Sequence, residues 1–95
     1  MTTRKAERRR GRLAAFHPEF REDLEFRIRS DRAIALRVLD LVEATLRDPF
    51  GGPGKPEPLR FHLRGCWSRR ITEEHRLVYR VEKDRVDFLQ ARYHY

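Results

Sequence analysis

Apolar residues in the first half of the chain recur at the spacing of amphipathic helices. The first helix is predicted to run from Pro18, whose missing N–H costs nothing in a first turn, to about Arg29. Its apolar stripe consists of three residues at intervals of four: Phe20, Leu24 and Ile28. The short apolar run Leu13–Phe16 before it is predicted to form a brief edge strand.

A second helix is predicted directly behind the first. Ser30 or Asp31 can cap its N-terminus, and Asp48-Pro49 ends it because proline disfavours helical backbone in the residue that precedes it. One side of this helix is apolar: Ile34, Val38, Leu41, Val42 and Leu46. Neither helix carries an obvious catalytic group.

From Leu59 onward the hydrophobic period changes to two, which predicts strands. The apolar residues share one face only if the turn of the first hairpin has an odd number of residues, such as Glu73–His75. That face then holds Trp67, Ile71, Leu77, Tyr79 and Val81. The opposite face gathers Arg70, Thr72, Arg76 and Arg80. Guanidinium groups side by side repel one another, so this face needs an anion from the protein or from a ligand.

Lys83-Asp84 is predicted to turn the chain into a last strand, Arg85–Arg92, whose Val86 and Phe88 continue the apolar face. Together these elements predict an α+β fold. Two N-terminal helices pack on one face of a small, mostly antiparallel sheet, and the other face of the sheet is basic.

Net charge is divided unevenly along the 95-residue chain, which totals +7. Residues 1–12 hold six basic side chains and one acidic side chain. Residues 13–54 hold six basic and eight acidic side chains, and residues 55–80 hold seven basic and three acidic side chains. We therefore predict a disordered basic arm over residues 1–12 and one domain over residues 13–95. The two separated basic patches favour a polyanionic partner such as nucleic acid, although an arginine-rich surface without such a partner has the same composition.

Composition also limits where the protein is expected to act. No apolar run approaches the roughly 18 residues of a membrane span, and the basic N-terminus is not followed by the apolar stretch of a secretory signal. The single cysteine, Cys66, cannot form an internal disulfide and is expected to pack in the interior. We expect a cytoplasmic location and no membrane association.

The loop that joins the helical half to the strands, residues 50–58, is dense in glycine and proline. Glycine permits unusual backbone angles and proline then restricts what remains. Such a loop can hold Lys55 and Glu57 in a defined place, although a plain helix-to-strand connector has the same composition.

Cleavage of RNA without a metal ion needs a base for the ribose 2′-OH, cations for the phosphorane and an acid for the departing 5′-oxygen. The sequence contains suitable groups: Glu57 as base, His94 as acid with Tyr95 beside it, and Lys55, Arg70 and Arg76 as cations. Each of these residues alone is weak support, since such side chains are more often simply solvated. Neither a His-x-x-x-His motif nor a pair of cysteines is present, so no metal and no cofactor is expected.

A long, ordered set of motifs resembles the YoeB/Txe branch of the RelE-type toxins. The motifs are Pro49-Phe50, Gly54-Lys55-Pro56-Glu57-Pro58-Leu59, Leu63, Gly65, Trp67-Ser68-Arg69-Arg70-Ile71, His75-Arg76-Leu77-Val78-Tyr79 and Tyr93-His94-Tyr95. The helical half resembles the family more loosely, so the resemblance covers roughly residues 13–95. The simple strand register described above places Tyr93 and Tyr95, and not His94, on the arginine face.

The resemblance implies a RelE/YoeB-like fold and the activity of a type II toxin that cleaves mRNA in the A site of the 70S ribosome, without a metal ion. Glu57 would be the general base, His94 the general acid, and Arg76 would stabilise the phosphorane. Tyr95 would position the substrate. Further positive charge for substrate binding would come from Lys55, Arg70 and Arg69. The family is neutralised by a YefM-like antitoxin and forms dimers.

Two alternatives remain open at this point. The same fold could serve as a non-catalytic binding module, whose basic face docks nucleic acid or an acidic antitoxin tail. The chain could also be a structural partner that is stable only together with another subunit. Dependence of RNA cleavage on Glu57 and His94 separates the nuclease from the first alternative, and unfolding on dilution would indicate the second.

Overall fold

The computed structural model describes residues 11–92 of the chain. The elements follow in the order β1 (Leu13–Phe16), α1 (Pro18–Ser30), α2 (Arg32–Arg47), β2 (Glu57–Pro58), a 3₁₀ turn (Phe61–Leu63), β3 (Cys66–Arg70), β4 (Arg76–Val81) and β5 (Arg85–Gln90). The strands form one sheet in the order β1-β5-β4-β3-β2, with β1 parallel to β5 and the other neighbouring pairs antiparallel. The predicted α+β architecture and the edge strand β1 are confirmed.

Three predictions fall wholly or partly outside the described residues. The proposed catalytic residues His94 and Tyr95 lie beyond residue 92, and most of the predicted basic arm lies before residue 11. The described part of the arm includes Arg12, whose Nε donates a hydrogen bond to the carbonyl oxygen of Glu82 at 2.7 Å. No helix among residues 11–92 has the length and apolar character needed to cross a membrane.

The second helix forms as its sequence predicts. Asp31 is the N-cap, and its side chain accepts hydrogen bonds from the backbone N–H groups of Ala33 and Ile34 at 3.1 and 3.3 Å. Its predicted apolar side packs against the sheet, with Val38, Leu41 and Val42 buried and the other two residues partly buried against the same cluster.

The first helix buries a different stripe from the predicted one. Phe20 is buried and Leu24 partly buried, but Ile28 is 52% exposed. A step of four residues turns about 40° beyond a full helical turn, so every fourth residue moves progressively away from the core. Asp23 and Arg27 are buried instead, because both contact the chain that leaves β5. The Asp23 carboxylate accepts a hydrogen bond from the Ala91 N–H at 2.8 Å, over a separation of 68 residues.

The first hairpin has an odd turn, as predicted, but the turn contains five residues rather than three. Arg70 pairs with Arg76, and Trp67 with Tyr79, so residues 71–75 lie outside the ladder. Within the turn, Thr72 Oγ1 accepts hydrogen bonds from the N–H groups of Glu74 and His75, both at 3.2 Å. Thr72 therefore organises the turn and does not lie on the arginine face. Five is still an odd number of turn residues, so the same side chains share each face of the hairpin and the predicted apolar face is correct.

A single apolar cluster fills the space between the helices and the sheet. Its buried members are Phe20, Val38, Leu41, Val42, Ile71, Leu77, Tyr79, Val86, Phe88 and Ala91. Phe88 lies opposite Tyr79 and Val86 opposite Val81, as the predicted second hairpin requires. Trp67 is only partly buried, at the margin of this cluster, with its ring 5.0 Å from that of Phe50.

Arg80, which was predicted to join the arginine face, is neutralised within the protein. Its guanidinium lies 3.1 Å from the carboxylate of Asp87 and 3.2 Å from that of Glu82. Arg85 also binds Asp87, at 2.8 Å. Asp87 is only 2% exposed, and this burial opposes its ionisation. The hydrogen bonds and positive charges of Arg85 and Arg80 outweigh that burial, so the pKa of the Asp87 carboxyl lies below its usual value.

Replacing Asp87 with asparagine is expected to destabilise the protein at neutral pH and to weaken the dependence of stability on acid pH. Because the folded pKa is depressed, Asp87 stabilises the native state above its unfolded pKa of about 3.9, and this contribution is lost as pH falls through the lower folded value. Urea unfolding from pH 7 to pH 2 should therefore show the largest difference between the wild type and Asp87→Asn at pH 7. A constant difference over this range would contradict the assigned ion network.

Candidate functional site

The glycine- and proline-rich loop is held against the sheet by Arg69. This residue is fully buried, and its Nη2 donates hydrogen bonds to the carbonyl oxygens of Asp48 and Gly51 at 2.6 and 2.8 Å. Its Nη1 donates to the carbonyl oxygen of Pro53 at 2.7 Å. A guanidinium engaged in this way is not exposed to a substrate, so the predicted electrostatic contact of Arg69 is replaced by a structural role.

Tyr79 and Gly54 complete the attachment of the loop. The buried Tyr79 hydroxyl donates to the Pro49 carbonyl oxygen at 2.7 Å, and burial raises the pKa of this phenol. Gly54 has a positive φ of 86°, and a Cβ at this position would lie 3.1 Å from the Cβ of Arg69 and 3.2 Å from a methyl group of Leu41. The close approach lets the Gly54 carbonyl oxygen accept a hydrogen bond from the Arg70 N–H at 2.7 Å.

The anchored loop delivers Lys55 and Glu57 to the edge of the sheet. Lys55 directly follows the residue that is bonded to Arg70, and Glu57 pairs with Ser68 across β2 and β3. Both Lys55 and Glu57 are exposed. Residues 56–58 alternate proline with glutamate, which limits the backbone freedom of Glu57.

The strand register brings Glu57 together with two of the predicted cations. Ser68 and Arg70 are two residues apart on β3 and share its face, and Arg70 is directly opposite Arg76 on β4. Glu57, opposite Ser68, is therefore a diagonal neighbour of Arg70, a spacing of about 7–8 Å that long side chains can bridge. We call Lys55, Glu57, Arg70 and Arg76 the arginine site. Its glutamate and two arginines share the sheet face opposite the helices, and Lys55 lies in the loop next to Arg70.

Arg76 differs from the other strand arginines in its surroundings. Its Nε and Nη1 atoms are buried yet have no hydrogen-bond partner within residues 11–92. In Arg69 only Nε is in that position while both Nη atoms donate to the loop, and Arg80 is paired with Asp87. A buried guanidinium without acceptors is costly, and an anionic group with two oxygens would satisfy it. Arg76 is thus a suitable anchor for a phosphate.

A second apolar cluster on this same face was not predicted from the sequence. It consists of Leu59, Cys66 and Val78, with Leu63 and Leu89 packed against it. Cys66 lies inside it as expected, and burial raises the pKa of its thiol. The sequence feature that indicates this cluster is the recurrence of Leu59, Leu63 and Cys66 among residues that are exposed. The cluster separates the arginine site from the neutralised Arg80 at the far end of the sheet.

The remaining histidines of residues 11–92 lie away from the arginine site or in turns. His17 precedes α1, His75 is in the five-residue turn as predicted, and His62 is in the 3₁₀ turn rather than on a strand. Within the part of the chain that the structure describes, no three His, Cys, Asp or Glu side chains form a group that could hold a metal ion.

The C-terminal end of β5 contains a β-bulge that the simple register did not include. Tyr79 pairs with Phe88, but the next residue of β4, Val78, pairs with Gln90, so Leu89 is an extra residue. Beyond this pair the described chain runs along α1: Arg27 donates a hydrogen bond to the carbonyl oxygen of Arg92 at 3.0 Å, and the Arg92 guanidinium lies 3.6 Å from the centre of the Phe26 ring.

Comparison with known proteins agrees with this fold. A family model described as "YoeB-like toxin of bacterial type II toxin-antitoxin system" matches residues 16–95. This chain belongs to the YoeB toxin family. Toxin YoeB of Mycobacterium bovis is 52% identical over 84 residues, which cover 88% of this chain and 99% of that protein.

Solved structures of YoeB toxins have the same fold. The YoeB/ParE toxin from Agrobacterium tumefaciens superposes with a TM-score of 0.82 at 41% identity, covering 87% of this chain and 99% of that one. The YoeB dimer from Staphylococcus aureus superposes with a TM-score of 0.81 at 34% identity, covering 88% of this chain and 98% of that one. The heterotetrameric YoeB–YefM complex from the same organism superposes with a TM-score of 0.79 at 36% identity, covering 88% of this chain and 99% of that one. The protein is accordingly the toxin of a type II toxin–antitoxin pair.

Proposed function

We propose that this YoeB-family toxin is an endoribonuclease that cleaves mRNA in the A site of the 70S ribosome. The observation that carries the proposal is the arginine site, in which an exposed carboxylate, Glu57, neighbours an exposed and a half-buried arginine. A carboxylate can accept the proton of a ribose 2′-OH while the guanidinium groups hold the phosphate that the resulting alkoxide attacks.

In the proposed reaction Glu57 removes the proton from the 2′-OH, and the 2′-oxygen bonds to the adjacent phosphorus. Arg76, with its unsatisfied N–H groups, stabilises the phosphorane, and Lys55 and Arg70 add positive charge. The bond from phosphorus to the 5′-oxygen then breaks, and His94 protonates that oxygen. The products are a 2′,3′-cyclic phosphate and a 5′-hydroxyl end, and no metal ion takes part.

The assignment of the acid to His94 rests on the terminal Tyr93-His94-Tyr95 motif, which belongs to the part of the chain that the YoeB family model matches. An imidazole can give a proton to the departing 5′-oxygen. Tyr95 is proposed to position the substrate next to this acid and not to transfer a proton.

Primer extension on a reporter mRNA with purified toxin and 70S ribosomes tests the activity. We expect discrete cuts at the A-site codon and a loss of about 10²- to 10⁴-fold in rate for His94→Ala. His17→Ala is the matched control, because His17 directly precedes α1 and lies away from the arginine site. Intact mRNA with retained binding to ribosomes would instead favour a non-catalytic binding module.

We propose partners on the same basis. The YefM antitoxin in the Staphylococcus aureus complex and the dimer in the other structure from that organism suggest that a YefM-like antitoxin neutralises this toxin and that it can form a homodimer. Its site of action is proposed to be the cytoplasm, where ribosomes are found. The net charge of +4 over residues 55–80 fits both an RNA substrate and an acidic antitoxin segment.

A further inference from the structure

The segment between β2 and β3 holds one aromatic ring almost entirely in water. Phe61 is 86% exposed, the largest exposed fraction among the exposed large apolar residues of the described chain. Exposure of a whole phenyl ring forgoes the stabilisation that burial of a phenylalanine normally brings. A short segment with an apolar cluster close beside it would ordinarily fold such a ring inward.

The outward position of Phe61 is set by its neighbours. Leu59 and Leu63, two residues before and after it, are both inserted into the second apolar cluster. The Leu59 N–H donates to the Cys66 carbonyl oxygen at 2.9 Å, and the Arg64 N–H donates to the Phe61 carbonyl oxygen at 3.0 Å. With both ends anchored, the backbone presents the intervening side chains to solvent.

The backbone at Phe61 is also strained. Its φ of 58° lies in the left-handed region, where a bulky side chain is a genuine outlier. Such a conformation is energetically costly and persists only where the surrounding structure imposes it. The fold thus maintains an unfavourable backbone and an unfavourable exposure at one and the same residue.

The surroundings of Phe61 indicate what kind of group would cover it. Residues 57–63 line one cleft, so that Glu57, Phe61 and His62 border the same space. Arg60 and Arg64 are exposed on either side of the 3₁₀ turn. An aromatic ring set between cations is the arrangement with which proteins stack a nucleobase while holding the adjoining phosphates.

We propose that Phe61 is a stacking platform for a nucleobase adjacent to the cleaved bond of the RNA. The inference rests on the proposed function, because the cleft that Phe61 lines is also lined by Glu57, the carboxylate assigned as the general base. A ribose 2′-OH at Glu57 places the neighbouring nucleotide in the cleft, with its base over the phenyl ring. An acidic peptide fits less well, since its carboxylates would meet Glu57 in the same cleft.

Kinetics of ribosome-dependent cleavage test the platform. Phe61→Ala is expected to lower kcat/KM by about 5- to 150-fold, mainly through KM, which corresponds to the 1–3 kcal/mol measured for base–aromatic stacking. Phe61→Trp should restore or improve binding because it keeps a π face. Leu36→Ala is the matched control: Leu36 is 56% exposed on α2, and its truncation should leave kcat/KM unchanged.

A fluorescent base separates stacking from other effects on rate. The probe is a ribosome-bound mRNA with 2-aminopurine in the A-site codon and a 2′-O-methyl group that blocks cleavage. Wild type, Phe61→Trp, Leu36→Ala and Glu57→Gln should all change the 2-aminopurine emission on binding, whereas Phe61→Ala should not. Each variant's circular dichroism and Tm are compared first, so that a misfolded protein is not counted.

The outcomes for the two hypotheses are distinct. Unchanged kcat/KM and unchanged emission in Phe61→Ala would overturn the platform and leave the nuclease intact. A wild type that changes the emission through Phe61 but cleaves no unblocked mRNA would overturn the nuclease and leave the platform as a binding site. Loss of antitoxin binding in Phe61→Ala, with both RNA measurements normal, would show that the ring serves a protein partner and would also overturn the proposal.

Discussion

Glutamine in place of Glu57 is expected to slow ribosome-dependent cleavage by about 10²- to 10⁴-fold, because an amide cannot accept the proton of the 2′-OH. The substitution keeps the size of the side chain and the backbone pairing of Glu57 with Ser68. Since the side chain is exposed, the free energy of unfolding should change by no more than about 0.5 kcal/mol. Single-turnover cleavage on programmed ribosomes, with saturating toxin, measures the effect on the chemical step.

Glu43→Gln is the matched control for this experiment. Glu43 is an exposed glutamate on α2, paired with Arg47 at 3.6 Å, so the same change of charge is made on the helical side of the molecule. It should leave the cleavage rate unchanged. Equal losses for the two variants would point to a general effect of net charge on ribosome binding and would remove Glu57 from its role as base.

Replacing Arg69 with leucine should destabilise the protein by about 3 kcal/mol without any direct effect on a substrate. The change removes three hydrogen bonds, to the carbonyl oxygens of Asp48, Gly51 and Pro53, and leaves these acceptors without the charged donor that now satisfies them. Urea unfolding should show a lower midpoint with an unchanged m value. Arg69→Lys should recover only part of the loss, because an ammonium lacks the planar fork that reaches several acceptors.

The neighbouring Arg70 provides the control. It is exposed and uses only its backbone N–H to bind the loop, so Arg70→Leu should alter the free energy of unfolding by no more than about 0.5 kcal/mol. For RNA affinity we expect the opposite order: Arg70→Leu should weaken binding more than Arg69→Leu does. Both variants are measured at a temperature at which Arg69→Leu is folded. Equal stability of the two variants would show that the loop is held by contacts other than those of Arg69.

The contrast between Arg69 and Arg70 shows how far strand alternation could be trusted. The period of two already grouped Arg69 with Trp67 and Ile71 on the apolar face, which the structure confirms. The resemblance to a family suggested a contact with substrate, and that expectation was wrong. Strand alternation predicts on which face of the sheet a side chain lies. It does not predict the carbonyl oxygens of a distant loop that accept hydrogen bonds from Arg69 and so stabilise its buried charge.

The first hairpin and the bulge mark the limit of register arguments. Parity follows from the hydrophobic pattern, because an even turn would bury Arg76 beside Ile71. The length of the turn depends on hydrogen bonds that Thr72 accepts. The extra residue of the bulge, Leu89, packs against the second apolar cluster. Neither the turn length nor the bulge can be predicted from an alternation of apolar and polar residues, since each adds residues without changing which side chains are apolar.

Local periodicity was enough to predict the two helices, the strands and the apolar face, and short motifs predicted the candidate site residues Lys55, Glu57, Arg70 and Arg76. Which arginines remain available for a ligand depends on the folded chain. Arg69 is engaged by a loop 16 to 21 residues away and Arg80 by Asp87, while the buried Nε and Nη1 of Arg76 have no hydrogen-bond partner within residues 11–92. Charge is a property of one residue, but its neutralisation depends on distant groups that only folding brings together.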